Sequence, residues 1–301
     1  QGVEVRLIHD DVGSWKTKEH YFERLRMEGI EVSAFMPVRF PIFARKVNYR
    51  NHRKIIVIDG QTAFIGGMNF AVRYVKGRTQ PWRDTMMRVS GPAAYSLQRA
   101  FLITHKRYYP SFPVAETSQP ILTQTVMHGP NDPQPMIQMG LMRIIMSARR
   151  YVYIQSPYFT PPESFLNALK SAALRGVDVR LMLPKNQDVP VMLWVNHAFY
   201  KKLLKSGVRL YERDDPFMHS KTYVTDDYVS CYGSANIDNR SFGLNYENNV
   251  YIYDESVAGQ SKDIFLEDLE HCREIKLEDL HWPFWEKFMQ GFVILLGYSQ
   301  W

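Results

Sequence analysis

Cysteine is scarce in this sequence: Cys231 and Cys272 stand alone. Two thiols build no disulfide framework, and nothing around them has the spacing of a zinc site, so both read as packing residues. Long apolar runs are missing as well. No stretch of about 18 or more apolar residues occurs, which leaves no obvious membrane-spanning helix. The first residues do not read as a secretory leader, which carries little weight, because the opening Gln1-Gly2-Val3-Glu4-Val5-Arg6-Leu7-Ile8 reads as the middle of a folded unit. What is present is the composition of a globular protein. Apolar residues make up 45% and charged residues 23% of 301 positions, enough to bury cores in roughly two domains. The net charge of +6 favours an anionic partner such as nucleic acid, a phosphorylated substrate or an acidic membrane surface.

The chain repeats itself. Gly2-Val3-Glu4-Val5-Arg6-Leu7-Ile8 matches Gly176-Val177-Asp178-Val179-Arg180-Leu181-Met182, each an alternating strand entered from a glycine. A helix follows in both copies and stops at Gly29 or Gly207. Two strand–helix–strand copies predict an α/β layered fold in each half. The second copy carries extra elements in front: a helix-like run from Ile137 to Arg150, a strand at Tyr151–Gln155, and a helix opening at Thr160-Pro161-Pro162-Glu163 with capping-box spacing. Nothing equivalent precedes Gly2, so the chain reads as a piece of a longer polypeptide whose first repeat lacks its opening strand and helices. Between the copies, Tyr108 to Pro135 holds six prolines and is expected to continue neither a helix nor a central strand.

The chemistry lies in a second repetition. His52-x-Lys54, Asp59, Gly66-Gly67-x-Asn69 recurs at identical intervals as His219-x-Lys221, Asp226, Gly233-Ser234-x-Asn236. A lone His-x-Lys is usually a surface accident; two matched copies are not. His and Lys two apart on a strand share a face. Ile55-Ile56-Val57-Ile58 reads as a strand buried on both faces, and Asp59-Gly60 as a tight hairpin turn. The small residues at 66–67 and 233–234 would let backbone approach a phosphate, with Asn69, Asn236 and Ser234 as neutral donors. Phosphodiester exchange needs a nucleophile, a proton donor for the departing alkoxide and positive charge around phosphorus. One histidine can attack and the other can serve as acid and then base; these residues alone leave open which does which. Lys54 and Lys221 supply fixed charge, so no metal is required. Asp59 and Asp226 complete the catalytic motif, although their turn position points to a structural role. His197 and His271 read as ordinary helical residues, and His20, His105, His128 and His281 stay unassigned.

The doubled motif resembles the signature of the phospholipase D superfamily. That resemblance implies two pseudo-twofold-related domains, each a mixed β-sheet flanked by helices, with the active site at their interface. The divisions would be residues 1–110, a linker at 111–135, residues 136–275, and a C-terminal aromatic segment at 276–301. It further implies a nucleophile at His52, a general acid at His219, and carboxylates at Asp84 and Glu247 that orient the histidines. Asp84 follows His52 by 32 positions and Glu247 follows His219 by 28. No cofactor is expected.

Within the superfamily the chain is most similar to bacterial cardiolipin synthases, through Tyr49-Arg50-Asn51-His52-Arg53-Lys54, Phe64-Ile65-Gly66-Gly67-Met68-Asn69, Trp82-Arg83-Asp84-Thr85, Gly91-Pro92-Ala93, Ile154-Gln155-Ser156-Pro157-Tyr158-Phe159 and Asn236-Ile237-Asp238-Asn239-Arg240-Ser241. Such enzymes join two phosphatidylglycerols into cardiolipin and release glycerol. The resemblance therefore implies an anionic phospholipid substrate, a membrane surface rather than nucleic acid as partner, and a place at the bacterial inner membrane with an anchor upstream of residue 1. The stretch 39–46 could line an approach for headgroup and acyl chains, or be a loop over a core. Residues 281–301, rich in Trp and Phe, suit an interfacial segment or a helix packed on its own domain. Rival readings are a nuclease or other phosphodiesterase on the same scaffold, and a catalytically silent membrane-binding module.

Overall fold

The computed structural model describes residues 2–38, 45–76, 80–105 and 120–295; the rest, including most of the stretch 39–46, the first part of the Pro-rich connection and the last six residues, lies outside them. The first half folds as β1 (Arg6–Asp10), α1 (Glu19–Met27), β2 (Glu31–Phe35), β3 (Arg50–Asn51), β4 (Ile55–Ile58), β5 (Thr62–Gly66), β6 (Met86–Ser90) and α2 (Pro92–His105). The second runs β7 (Leu122–His128), α3 (Met136–Ser147), β8 (Tyr151–Gln155), β9 (Phe159–Thr160), α4 (Glu163–Leu174), β10 (Asp178–Pro184), α5 (Val191–Leu204) and β11 (Arg209–Arg213). It continues through β12 (Thr222–Thr225), β13 (Val229–Gly233), β14 (Ile237–Asp238), α6 (Asn239–Gly243), β15 (Asn245–Tyr253), α7 (Glu255–Leu269), β16 (Cys272–Ile275) and α8 (Phe284–Leu295).

The α/β layering is present in both halves. Among the described residues the largest sheet has the order β16-β11-β10-β8-β12-β13-β15-β3, with β7 attached to β15. Its joint is β8, parallel to β10 and antiparallel to β12. Tyr-Val-Tyr-Ile-Gln is buried along its whole length, as a strand with two neighbours and two covered faces must be. In the first half, β1 pairs with β2, and β4-β5-β6 form a separate sheet. No strand joins the two sheets among the described residues. Accordingly every residue of β1 keeps intermediate exposure, whereas β10 is mostly buried.

Three local expectations are corrected. Ile55–Ile58 is not buried on both faces: β4 is an edge strand and Ile58 is exposed. The Pro-rich connection contains β7, antiparallel to β15 over seven residues, because Pro120 and Pro130 flank that strand and none falls inside it. The capping box at Thr160 does not form. Pro162 stays extended and is itself the N-cap of α4, which leaves Thr160 in β9; two successive prolines delay the first helical turn.

The core of the second half gathers β8, β10 and β11 against α3, α4 and α5, through residues such as Ile154, Leu181, Leu141, Leu169 and Leu203. A second cluster bridges the halves: Ala63 and Ile65 of β5, Val89 of β6 and Leu97 of α2 pack on Tyr232, Val250 and Ile252. The C-terminal segment docks on α5. Trp194 meets Trp285 edge-on at 6.3 Å, and His197 lies on the Trp282 ring at 4.1 Å with Nδ1 2.9 Å from Glu286. His197 is therefore not an ordinary helical residue; it ties α8 to the domain. The outer side of α8 leaves Phe284, Phe288 and Phe292 exposed.

The two motif hairpins turn through left-handed backbone at Asp59-Gly60 and Asp226-Asp227. The Asp226 carboxylate accepts the amides of Arg149 and Arg150 at 2.8 Å and of Tyr151 at 3.0 Å. It thus clamps the chain where α3 passes into β8. Asp59 is exposed, and among the described residues no backbone amides are bonded to its carboxylate as those of Arg149–Tyr151 are to Asp226. Removing the clamp leaves three amides without their acceptor. Asp226→Ala is expected to cost roughly 1–3 kcal/mol of unfolding free energy and to speed hydrogen exchange at residues 149–151, while Asp59→Ala changes stability little; equal effects in urea melts would contradict this assignment.

Candidate active site

Each His-x-Lys segment lies just before a strand rather than within one. β3 ends at Asn51 and β4 begins at Ile55; β12 begins at Thr222. Its backbone is committed across the molecule instead. The His52 amide donates to the Tyr246 carbonyl at 2.9 Å, and the His219 amide donates to the Arg83 carbonyl at 2.7 Å. In both cases the acceptor immediately precedes a carboxylate, Glu247 or Asp84. The parallel pairing of β3 with β15 and the bridge between Arg83 and Met218 extend the same contacts.

The carboxylates are therefore exchanged between halves. His52 Nδ1 is 2.8 Å from Glu247 Oε1, and His219 Nδ1 is 2.8 Å from Asp84 Oδ2. Sequence order places Asp84 after His52 and Glu247 after His219; the fold swaps them. The exchange brings the two imidazoles into one electrostatic environment. His52, Lys54 and Lys221 all bear on His219, and Lys54 and Lys221 bear on His52. With Nδ1 engaged, each ring has Nε2 turned away from its carboxylate.

The lysines are buried beside the rings. Lys54 Nζ donates to the His52 carbonyl at 2.6 Å, and Lys221 Nζ to the His219 carbonyl at 2.5 Å. Burial, opposed by Glu247, pulls Lys54 down to about 7; burial, opposed by Asp84 and Glu247, pulls Lys221 down to about 8. Burial also lowers His219, strongly, with Lys221 and Lys54 adding to it. For His52 burial again lowers, against the pull of Glu247.

The two carboxylates differ. Burial pushes Glu247 up, but the charges of His52 and Lys54 and hydrogen bonds from His52 and Ser234 outweigh it and hold Glu247 at about 2. Ser234 Oγ donates to Glu247, and Asn245 Nδ2 donates at 3.2 Å. The Ser234 donor adds to the larger effects of His52 and Lys54 in holding Glu247 ionised. Asp84 has the Thr85 amide at 2.7 Å, and burial, opposed chiefly by Lys221, raises it to about 6. The exposures differ too: the His52 side chain is 27% accessible and that of His219 only 6%. Trp82, Tyr74, Phe217 and Tyr158 surround the His219 ring, with centroids 5.7–6.3 Å away.

The expected phosphate ligands are placed unevenly. Asn236 is buried with its Oδ1 lacking a hydrogen-bond partner. Asn69 Nδ2 donates to the Tyr74 hydroxyl at 3.3 Å. Ser234 is not a phosphate donor here, since its hydroxyl is spent on Glu247. The glycines also serve a different need from the one expected. A Cβ at Gly67 would lie 2.4 Å from Asp84 Oδ1, and one at Gly233 would lie 1.9 Å from Asn249 Oδ1. The space they leave is filled by the protein's own polar groups. Asp59 and Asp226 sit past the far ends of β4 and β12, about 16 Å of extended chain from the lysines, and neither is brought to the imidazoles.

Other members of the site carried no spacing signal. Tyr74 places its hydroxyl 3.0 Å from His219 Nδ1. Arg53, the middle residue of its motif, donates to the Glu247 and His128 carbonyls and to Thr104. Arg83 forms a two-pronged pair with Asp268, which also accepts from Gln155 at 2.7 Å. Both arginines fell inside quoted motifs without an assigned role. Among the described residues no group of three or more His, Cys, Asp or Glu is arranged to hold a metal ion.

A family model described as cardiolipin synthase, PLD-like domain, matches residues 1–101 and 141–269. Cardiolipin synthase 2 of Staphylococcus epidermidis is 38% identical over 93% of this chain, and a cardiolipin synthase of Staphylococcus aureus is 38% identical over 99% of it. The chain spans 59% and 63% of the length of those relatives. Among solved structures, phosphatidylserine synthase of Haemophilus influenzae aligns over 99% of this chain and 90% of its own with a TM-score of 0.70 at 11% identity, a likeness of fold.

Two measurements check this geometry. Glu247→Gln removes the group that raises His52, so the His52 imidazole pKa is expected to fall in NMR titration while His219 moves less; the opposite ranking would contradict the exchanged pairing. Buried lysines lose their charge as pH rises, so binding of inorganic phosphate should weaken as pH passes 7 to 8, by up to about tenfold per unit for each proton lost. Lys54→Arg, which stays charged, should flatten that limb; an unchanged alkaline profile would show that Lys54 does not hold the anion.

Proposed function

The chain belongs to the cardiolipin synthase family of phospholipase D-like domains, and from that membership we propose that it transfers a phosphatidyl group between two phosphatidylglycerols. The observation that carries the reading is the pair of imidazoles with Nδ1 held by buried carboxylates from opposite halves. His52, the more accessible ring, attacks the phosphorus of the first phosphatidylglycerol through Nε2. His219 enters this step as the imidazolium, with Nδ1–H on Asp84 and its second proton on Nε2, and gives the Nε2 proton to the departing glycerol oxygen, leaving phosphatidyl on His52. A glycerol hydroxyl of the second phosphatidylglycerol then passes its proton to His219 and attacks phosphorus. The P–N bond breaks, cardiolipin forms and His52 is restored. Glu247, ionised throughout, steadies the positive charge that His52 acquires on attack, the part a carboxylate plays beside a catalytic histidine.

Lys54 and Lys221 neutralise the phosphoryl oxygens; a bound phosphate anion itself favours their charged forms. Asn69 and Asn236 add neutral donors. The asymmetry in carboxylates fits the division of labour. A carboxylate locked as an anion suits a nucleophile that must become cationic. One raised to about 6 beside a ring whose charged form burial disfavours suits a group that takes up a proton and readily gives it away. The reaction takes place at the bacterial cell membrane, and the exposed Phe284, Phe288 and Phe292 of α8 serve as an interfacial contact. No helix among the described residues is long and apolar enough to cross a membrane.

The test is turnover of phosphatidylglycerol vesicles in excess chelator. His52→Ala and His219→Ala should each lower cardiolipin formation by about 10²–10⁴-fold or more. With a phosphodiester bearing a good leaving group, His219→Ala should accumulate phosphorylated His52. Normal rates in either variant would remove the histidines from the mechanism, and cleavage of single-stranded DNA without lipid turnover would overturn the substrate.

A further inference from the structure

The segment that follows the motif asparagine is built differently in the two halves. After Asn236 the chain turns inward: Ile237 is 0% and Phe242 4% exposed, and both join the core. After Asn69 the apolar residues turn outward. Phe70, Val72 and Val75 are 82%, 74% and 81% exposed. The same repeat position thus puts its hydrophobic side chains into the core once and into solvent once. Exposed apolar groups gathered in one short segment mark a contact surface.

This exposure is held by local structure. Within 68–76 the Tyr74 amide bonds to the Ala71 carbonyl at 3.1 Å and the Val75 amide to Val72 at 2.9 Å, around a short helical turn at Val72–Tyr74. The Trp82 amide bonds to the Arg73 carbonyl at 3.0 Å, and the Arg73 guanidinium lies 4.6 Å over the Trp82 ring. Arg73 and Lys76 are exposed cations, and the segment 68–76 contains no acidic residue. Large apolar groups interleaved with cations, without anions, complement the interface of an anionic bilayer, where acyl chains lie beneath negative headgroups. The inner side of the same turn reaches the site: Asn69 donates to the Tyr74 hydroxyl, which is 3.0 Å from His219 Nδ1.

We propose that the loop 68–76 is a membrane-docking element that seats Phe70, Val72 and Val75 in an anionic lipid surface, with Arg73 and Lys76 at the headgroups. Through Tyr74 and Asn69 the docked loop sets the mouth of the site against that surface, so a lipid phosphodiester meets His219 without leaving the interface. This last step rests on the function proposed above; docking itself does not.

The test uses the full 301-residue chain and two kinds of vesicle, phosphatidylcholine alone and phosphatidylcholine with phosphatidylglycerol. Sedimentation should show binding to the phosphatidylglycerol vesicles, weakened about tenfold or more in a Phe70→Ser, Val72→Ser, Val75→Ser triple variant and weakened by salt. A Phe70→Trp reporter, read against the parent fluorescence, should shift blue with those vesicles and be quenched by brominated acyl chains. Unchanged vesicle binding by the triple variant, or a reporter that brominated lipid does not quench, overturns the proposal. So does a blue shift that grows with protein concentration in the absence of lipid, which would give the loop to a second copy. The triple variant should keep parental turnover of a water-soluble short-chain phosphodiester. If the parent turns over neither substrate, the proposed function fails while the vesicle arms still decide the docking.

Discussion

Two backbone hydrogen bonds set the rest of the site: the His52 amide on the Tyr246 carbonyl and the His219 amide on the Arg83 carbonyl. Each pins one half's motif beside the segment that ends in the other half's carboxylate. A side chain one residue past a fixed carbonyl has little freedom, so Glu247 and Asp84 arrive within 2.8 Å of the opposite imidazole. Neither half holds a complete histidine–carboxylate pair. The buried lysines reinforce this, because each is bonded to the carbonyl of its own histidine and stabilised by carboxylates from both halves. Separating the halves would strand buried charges on both sides, and such charges are costly once unpaired.

Within that symmetric plan the halves have diverged at one small residue. Position 67 is glycine, and the Asp84 carboxylate occupies the room a Cβ would need. The matching position is Ser234, whose hydroxyl donates to Glu247. That added donor, with Asn245, helps to offset the desolvation of Glu247, whereas Asp84 stays raised. The aromatic wall around His219 deepens the difference by excluding water from one ring more than from the other. The same comparison of halves separates the loop after Asn69, apolar and exposed, from its buried counterpart after Asn236.

β8 plays the corresponding part for the sheet. It joins β10 to β12, and Asp226 fixes its start through three amides. In the first half no strand among the described residues joins those answering to β10 and β12, and Ile55 and Ile65 bring the His52 segment onto the shared core. The first-half site is also supported from the second half, through β15 and the cluster of Tyr232, Val250 and Ile252.

Order along the chain carried the repeat, the α/β class and the candidate histidines, lysines and asparagines of the site, because matched spacing is a property of that order. It also placed β8 and the glycine-terminated helices, where local periodicity and left-handed backbone govern. Tertiary structure alone decided which carboxylate serves which histidine, that Ser234 holds Glu247, that Tyr74 reaches His219, and that Ile55–Ile58 is an edge. It also decided that β7 forms inside a Pro-rich stretch. The histidine–carboxylate pairs, the Tyr74 contact and the β7 pairing join residues more than a hundred positions apart, where separation along the chain says nothing about distance; Ser234 and Glu247, 13 apart, meet because β13 pairs with β15. The charges at Lys54, Asp84 and Glu247 belong to the same class, since burial and neighbours, not residue type, set them.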